Sequence, residues 1–108
     1  MTAGVSIVIP TYNHEAFLGA ALSSVVNQTY TNWEAIVVNN FSTDGTEALV
    51  HSFNDPRIKL INFHNNGIIG AARNQGINLA TNSFVAFLDS DDTWLPTKLE
   101  KCVAALTN

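Results

Sequence analysis

The sequence predicts an α/β fold: a Rossmann-like, doubly wound, mainly parallel four-stranded sheet flanked by helices. Three observations carry that expectation. Four short apolar runs recur along the 108 residues, each followed by a segment of helical period. The first two runs are continuous and β-branched, as strands buried on both faces tend to be. The alternation of strand and helix repeats four times, the pattern of parallel strands joined by right-handed crossovers.

Each element has its own signal. The first strand is expected at Val5 to Ile9, and Phe17, Ala21 and Val25, with Leu18 and Leu22 beside them, mark a helix face ahead of Asn27. The second strand is Ala35 to Val38. Asp44 with Glu47 three later is spaced as a capping box, opening a helix that carries Leu49, Val50 and Phe53. Ile58 to Phe63, more alternating, is the third strand. In "NNGIIGAARNQG", Gly67 and Gly70 are expected to supply turn geometry before a helix over Ala71 to Ala80, which Gly76 should weaken. Phe84 to Leu88 is the fourth strand. Pro96, a good first-turn residue, starts a last helix with Leu99, Val103 and Leu106 on one face.

Composition narrows the function. A chain that is 46% hydrophobic is not disordered, and a net charge of -4 argues against nucleic acid as a partner. No apolar run reaches the roughly 20 residues of a membrane span. The start "MTAGVSIVIP" has no basic region before its apolar stretch, so no signal peptide is expected. Cys102 stands alone, which points to a reduced, cytosolic setting without a cysteine zinc site. His14, His51 and His64 lack ligand spacing and are expected in surface or capping roles.

A parallel sheet binds ligands at the carboxyl ends of its strands. Pro10, Thr11, Tyr12 and Asn13 follow the first strand; Asn39, Asn40, Phe41, Ser42 and Thr43 follow the second; Asp89, Ser90, Asp91 and Asp92 follow the fourth. Two carboxylates about 4 Å apart repel by about 1 kcal/mol in water and roughly 4 at an intermediate dielectric. A hard divalent cation at Asp89 and Asp91, bridging to a diphosphate, would offset that. Arg73 is expected in the first turn of its helix, where the dipole already favours anions. No G-x-G-x-x-G follows the first strand and no G-x-x-x-x-G-K-[ST] occurs, which excludes the familiar dinucleotide and P-loop signatures.

Taken in order, "VSIVIPTYNHEAFLGAALSSVVNQTY", "WEAIVVNNFSTDGT", "DPRIKLI", "NNGIIGAARNQGINLA" and "FVAFLDSDDTWLPTKLE" resemble the N-terminal part of a family 2 glycosyltransferase of GT-A fold. The resemblance implies transfer of a sugar from a nucleotide-diphosphate donor, UDP-sugar favoured, to a saccharide or lipid-linked acceptor, using Mn²⁺ or Mg²⁺. It implies that Thr11 and Tyr12 line the base and ribose pocket, that Asn40 faces the base where an aspartate is usual, and that Arg73 lies near the nucleotide. Asp91 is then the direct metal ligand, with Asp89 sharing the metal and lying closer to ribose or sugar. Pro10, Asn13, Ser42 and Ser90 complete the expected donor contacts.

Two departures stand out: Asn39 and Asn40 replace an acidic pair, and Phe41 stands where glycine or asparagine is common. An amide offers a donor as well as an acceptor, which opens the choice of base. Residues 1–108 then correspond to the donor-binding part, ending before the acceptor half and the base of an inverting transfer, which is expected beyond Asn108. Such a chain alone is expected to be inactive, and to self-associate through apolar surface and an uncovered strand edge. The full-length protein is expected in the cytoplasm, at the inner face of the membrane. Competing readings are a non-catalytic nucleotide-binding or assembly module, and a nucleotidyltransferase. The latter fits less well, because no basic glycine-rich loop follows the first strand.

Overall fold

A computed structural model describes residues 3–65 and 68–107. Four strands, β1 (Val5–Thr11), β2 (Trp33–Asn39), β3 (Ile58–Asn62) and β4 (Phe84–Phe87), form one sheet in the order β3-β2-β1-β4. Among the described residues every pairing is parallel. The connecting helices are α1 (Glu15–Val26), α2 (Thr46–Ser52) and α3 (Ile69–Leu79), with α4 (Lys98–Thr107) after β4. The turn expected at Gly67 lies outside the described residues.

Alternation sorts the side chains. Ile7 and Ile9 of β1, and Ala35 and Val37 of β2, face a core completed by Leu18 and Leu22 of α1, Val50 of α2 and Leu99 of α4. Val8, Ile36 and Val38 point the other way, onto Ala72 of α3. Both central strands are therefore buried on both faces, which is what their unbroken apolar runs encode. At about 0.8 kcal/mol per buried methylene, this two-sided burial is the main force holding the sheet.

Four details refine the sequence reading. Glu47 does not close a capping box at α2. Asp44 Oδ1 instead accepts the Thr46 N–H at 3.0 Å, while Glu15 of α1 accepts the Gly45 N–H at 2.9 Å. The exchange is mutual, since Asp44 Oδ2 accepts the Glu15 N–H at 3.1 Å. α3 runs unbroken through Gly76, which is buried at the point where that helix touches Val8. α4 begins at Lys98, because the Pro96 carbonyl is taken by the Thr29 N–H and its chain is still entering the helix. Leu106 shares the helix face of Leu99 and Val103 by its spacing, but at the last turn of α4 it is 63% exposed where they are buried.

The amino end of the sheet holds a buried polar knot. Glu34 Oε2 accepts from the Ser6 hydroxyl at 2.6 Å, the Thr81 N–H at 2.7 Å and the Thr81 hydroxyl at 2.8 Å. Lys59 Nζ lies 3.0 Å from its other oxygen. Burial alone would push this carboxyl up, but the hydrogen bonds from Ser6, Thr81 and Lys59 outweigh it and bring its pKa down to about 2. The knot ties the segment entering β4 to both central strands.

Candidate donor-binding site

The opposite, carboxyl end of the sheet opens into a cavity of about 490 Å³, a size suited to a small molecule. It sits where the strand order reverses beside β1, since β2 and β3 lie to one side and β4 to the other. Pro10, Thr11 and Tyr12 line it from β1, Asn40 from β2, and Arg73 from α3; Asp89, Ser90 and Asp91 line it from behind β4. His14 and Asn65 complete the wall.

On the β2 side the two asparagines have separate tasks. Asn39 is buried, with Oδ1 accepting from the Ser42 N–H at 3.2 Å and its hydroxyl at 2.5 Å, and Nδ2 donating to Asn62 Oδ1 at 3.0 Å. It shapes the loop and lies outside the cavity lining. Asn40 does reach the cavity, and its Oδ1 accepts the Asn65 N–H at 3.3 Å. The amide nitrogen is then the atom Asn40 can offer by donation. Thr11 is buried beside it, its Oγ1 among the buried polar atoms without a hydrogen-bond partner, which a polar ligand would satisfy.

Asn13 and Ser42 are brought together, but with each other rather than at the cavity wall. The Asn13 N–H donates to Ser42 Oγ at 3.0 Å, and Asn13 Oδ1 accepts the Thr43 N–H at 2.8 Å. Asn13 is left-handed, with φ 52°, a conformation asparagine tolerates well. Phe41 adopts φ 48° without that advantage, its ring packing edge-on against His64.

On the acid side, the crowding of aspartates is resolved by direction. Asp89 Oδ1 pairs with Arg73 Nη2 at 3.3 Å. Asp92 turns back on its own loop, its Oδ1 accepting the Thr93 N–H at 2.9 Å. Asp91 is exposed and lines the cavity with Asp89. Arg73 stands beyond the first turn of α3, contrary to expectation, because the helix begins two residues earlier at Ile69. Its guanidinium lies 5.6 Å over the Phe87 ring and its Nε is buried without a hydrogen-bond partner. It therefore serves Asp89 and the cavity rather than a helix-terminal anion site.

The Glycosyl transferase family 2 model matches residues 6–108. The chain belongs to that family. It is 46% identical over 103 residues to the UDP-Glc:alpha-D-GlcNAc-diphosphoundecaprenol beta-1,3-glucosyltransferase WfgD of Escherichia coli, covering 94% of this chain and 40% of that protein. S. aureus TarS 1-349 in complex with UDP-GlcNAc superposes with a TM-score of 0.87 at 31% identity, over 96% of this chain and 30% of that one. The mannosyltransferase PcManGT of Pyrobaculum calidifontis, in complex with GDP-Man and Mn2+, gives 0.89 at 26% identity, over 100% and 33%. The family's GT-A fold is thus present here in its sheet order and helices. The chain spans about two fifths of the length of the curated relative.

The donor set fits a hard divalent cation. Among the described residues no three His, Cys, Asp or Glu side chains converge, and none need do so, because Mg²⁺ and similar ions take one or two carboxylates and complete their shell from phosphates and water. Asp91 and Asp89 would hold such an ion, whose charge would offset that of a bound phosphate. Among the described residues no helix is long and apolar enough to cross a membrane.

Two wall residues escaped the sequence reading. Asn65 follows β3 as the others follow their strands, so the same edge rule would have named it. His14 takes the N-cap position of α1, within its expected surface or capping roles, and its Nδ1 in addition lies 2.6 Å from Ser90 Oγ. Its one signal was its place, directly behind the residues that follow β1.

Proposed function

We propose that this chain binds a nucleotide-diphosphate sugar together with Mn²⁺ or Mg²⁺, as the donor-binding part of an inverting glycosyltransferase. A UDP-sugar is the favoured donor, and the acceptor is a saccharide or lipid-linked sugar in the synthesis of a surface polysaccharide, at the cytoplasmic face of the membrane. The observation that carries this reading is the convergence of Thr11, Asn40, Arg73, Asp89 and Asp91 on one cavity at the switch point. The named donors of WfgD and TarS support a uridine nucleotide, the diphosphoundecaprenol acceptor of WfgD a lipid-linked one, and the Mn2+ of PcManGT a metal.

In this reading Thr11 and Tyr12 bound the nucleoside, with Pro10 beneath them and Asn40 toward the base. Asn13 and Ser42 act at one remove, holding the loop. Arg73 and Asp89 lie along the ribose and phosphates, Ser90 sets the turn, and Asp91 with Asp89 takes the metal. Removal of the acceptor proton falls to a carboxylate outside these 108 residues. Calorimetric titration with UDP, GDP and TDP, with and without Mn²⁺, tests the assignment. UDP binding that needs Mn²⁺ and disappears in Asp91→Ala is expected; absence of binding to all three nucleotides at every metal concentration sinks it.

A further inference from the structure

We propose that His14 is a positioning residue for the acidic turn, acting through the Ser90 hydroxyl that separates the two cavity aspartates. Ser90 is 3% exposed, so its hydroxyl has little access to water and depends on the partner the fold supplies. That partner is His14 Nδ1 at 2.6 Å, a hydrogen bond whichever of the two carries the proton. The backbone around Ser90 is a tight turn closed by the Asp92 N–H on the Asp89 carbonyl at 3.0 Å. Holding its middle residue therefore sets the direction of both flanking carboxylates.

His14 is itself firmly placed. Its carbonyl accepts from the Phe17 and Leu18 N–H groups at the start of α1, and its ring meets the Phe17 ring edge-on at 6.0 Å. One residue earlier, Asn13 is bonded to Ser42 and Thr43 of the loop behind β2. A chain of contacts thus runs from that loop through Asn13 and His14 to Ser90. It joins the base side of the cavity to the acid side and sets their separation, which a nucleoside diphosphate must span.

This inference rests on the nucleotide-binding reading above, so the test keeps the two apart. The 108-residue chain and its variants are titrated with UDP plus Mn²⁺ and, separately, with uridine monophosphate in chelator. In His14→Leu and in Ser90→Ala, UDP–Mn²⁺ affinity is expected to fall about tenfold, the scale of losing a residue that orients a metal ligand. Uridine monophosphate affinity should stay within about twofold, because Thr11, Tyr12 and Asn40, which bound the nucleoside in this reading, are unchanged. The double variant should bind no worse than either single one, and His14→Asn, which restores a polar atom near Nδ1, should recover most of the loss.

An unchanged UDP–Mn²⁺ affinity in both single variants overturns the proposal while leaving nucleotide binding standing. Loss in His14→Leu without loss in Ser90→Ala also overturns it, since His14 would then touch the ligand itself. If His14→Leu does not fold, Ser90→Ala and His14→Asn decide the matter alone: loss in the first with near-normal binding in the second supports the pairing, and any other result rejects it. Failure of the wild-type chain to bind UDP at all refutes the underlying reading instead.

Discussion

Gly76 presses so closely on Val8 that a Cβ at residue 76 would stand 2.3 Å from a Val8 methyl. This contact is what lets α3 lie flat on β1, and so brings Arg73, on the same helix, to Asp89.

The first prediction follows directly. Gly76→Ala should destabilise the fold by about 1–3 kcal/mol through overpacking, even though alanine is the better helix former by about 1 kcal/mol. Val8→Ala in the same chain should recover part of that loss, because it removes the methyls that clash. Urea unfolding of the two single variants and the double variant measures the coupling.

Glu34 makes acid stability predictable. Its carboxyl lies at about 2 in the folded chain against an ordinary glutamate value of 4.5, so the folded state favours the charged form. A depressed pKa contributes stability above the unfolded value that is lost as pH falls through the folded one. The contribution, roughly 2–4 kcal/mol, is therefore present at pH 7 and drains away between about pH 5 and pH 2. Glu34→Gln should be less stable than the parent at neutral pH, and the gap should close across that window in denaturation measured at stepped pH.

Phe41 carries a left-handed backbone that aromatic residues adopt at a penalty of about 1–2 kcal/mol. Phe41→Asn should raise stability by about 0.5–1 kcal/mol after the lost edge contact with His64 is subtracted. Nucleotide affinity should not change, since Phe41 is outside the cavity lining. A thermal melt paired with a UDP titration checks both halves.

Asn40 sets a test of base preference. With Oδ1 engaged by the Asn65 N–H, wild type offers a donor toward the ligand, whereas Asn40→Asp offers a second acceptor. Uracil donates at N3 and cytosine accepts there, so the substitution should shift the ratio of UDP to CDP affinity toward UDP by about fivefold or more. An unchanged ratio would place the base away from Asn40.

The sequence revealed the strands because each signal was local: continuous Val and Ile runs admit burial on both faces and little else. The strand-end rule likewise puts Thr11, Asn40, Asp89 and Asp91 on one edge of the sheet, where they line the cavity. What stayed hidden depended on contacts between distant segments. Gly76 looked like a helix weakness because Val8 is 68 positions away, and His14 looked ordinary because Ser90 lies 76 away. The capping of α2 misled for the same reason: Asp44 and Glu47 have the spacing, but the partner that displaces Glu47 is Glu15, from another helix. Spacing reads one segment at a time, and these three contacts each need two.

The mutual capping of α1 and α2 also bears on how the molecule breathes. Asp44 closes the first turn of α1 and Glu15 that of α2, while Asn13 is stitched to Ser42 and Thr43 alongside. Neither helix can fray at its start without stripping the other of its cap. Amide protons at Glu15 and Gly45 should therefore exchange with solvent at one shared opening rate, and slow together when a ligand occupies the cavity, so that two stretches separated by thirty residues report as a single unit.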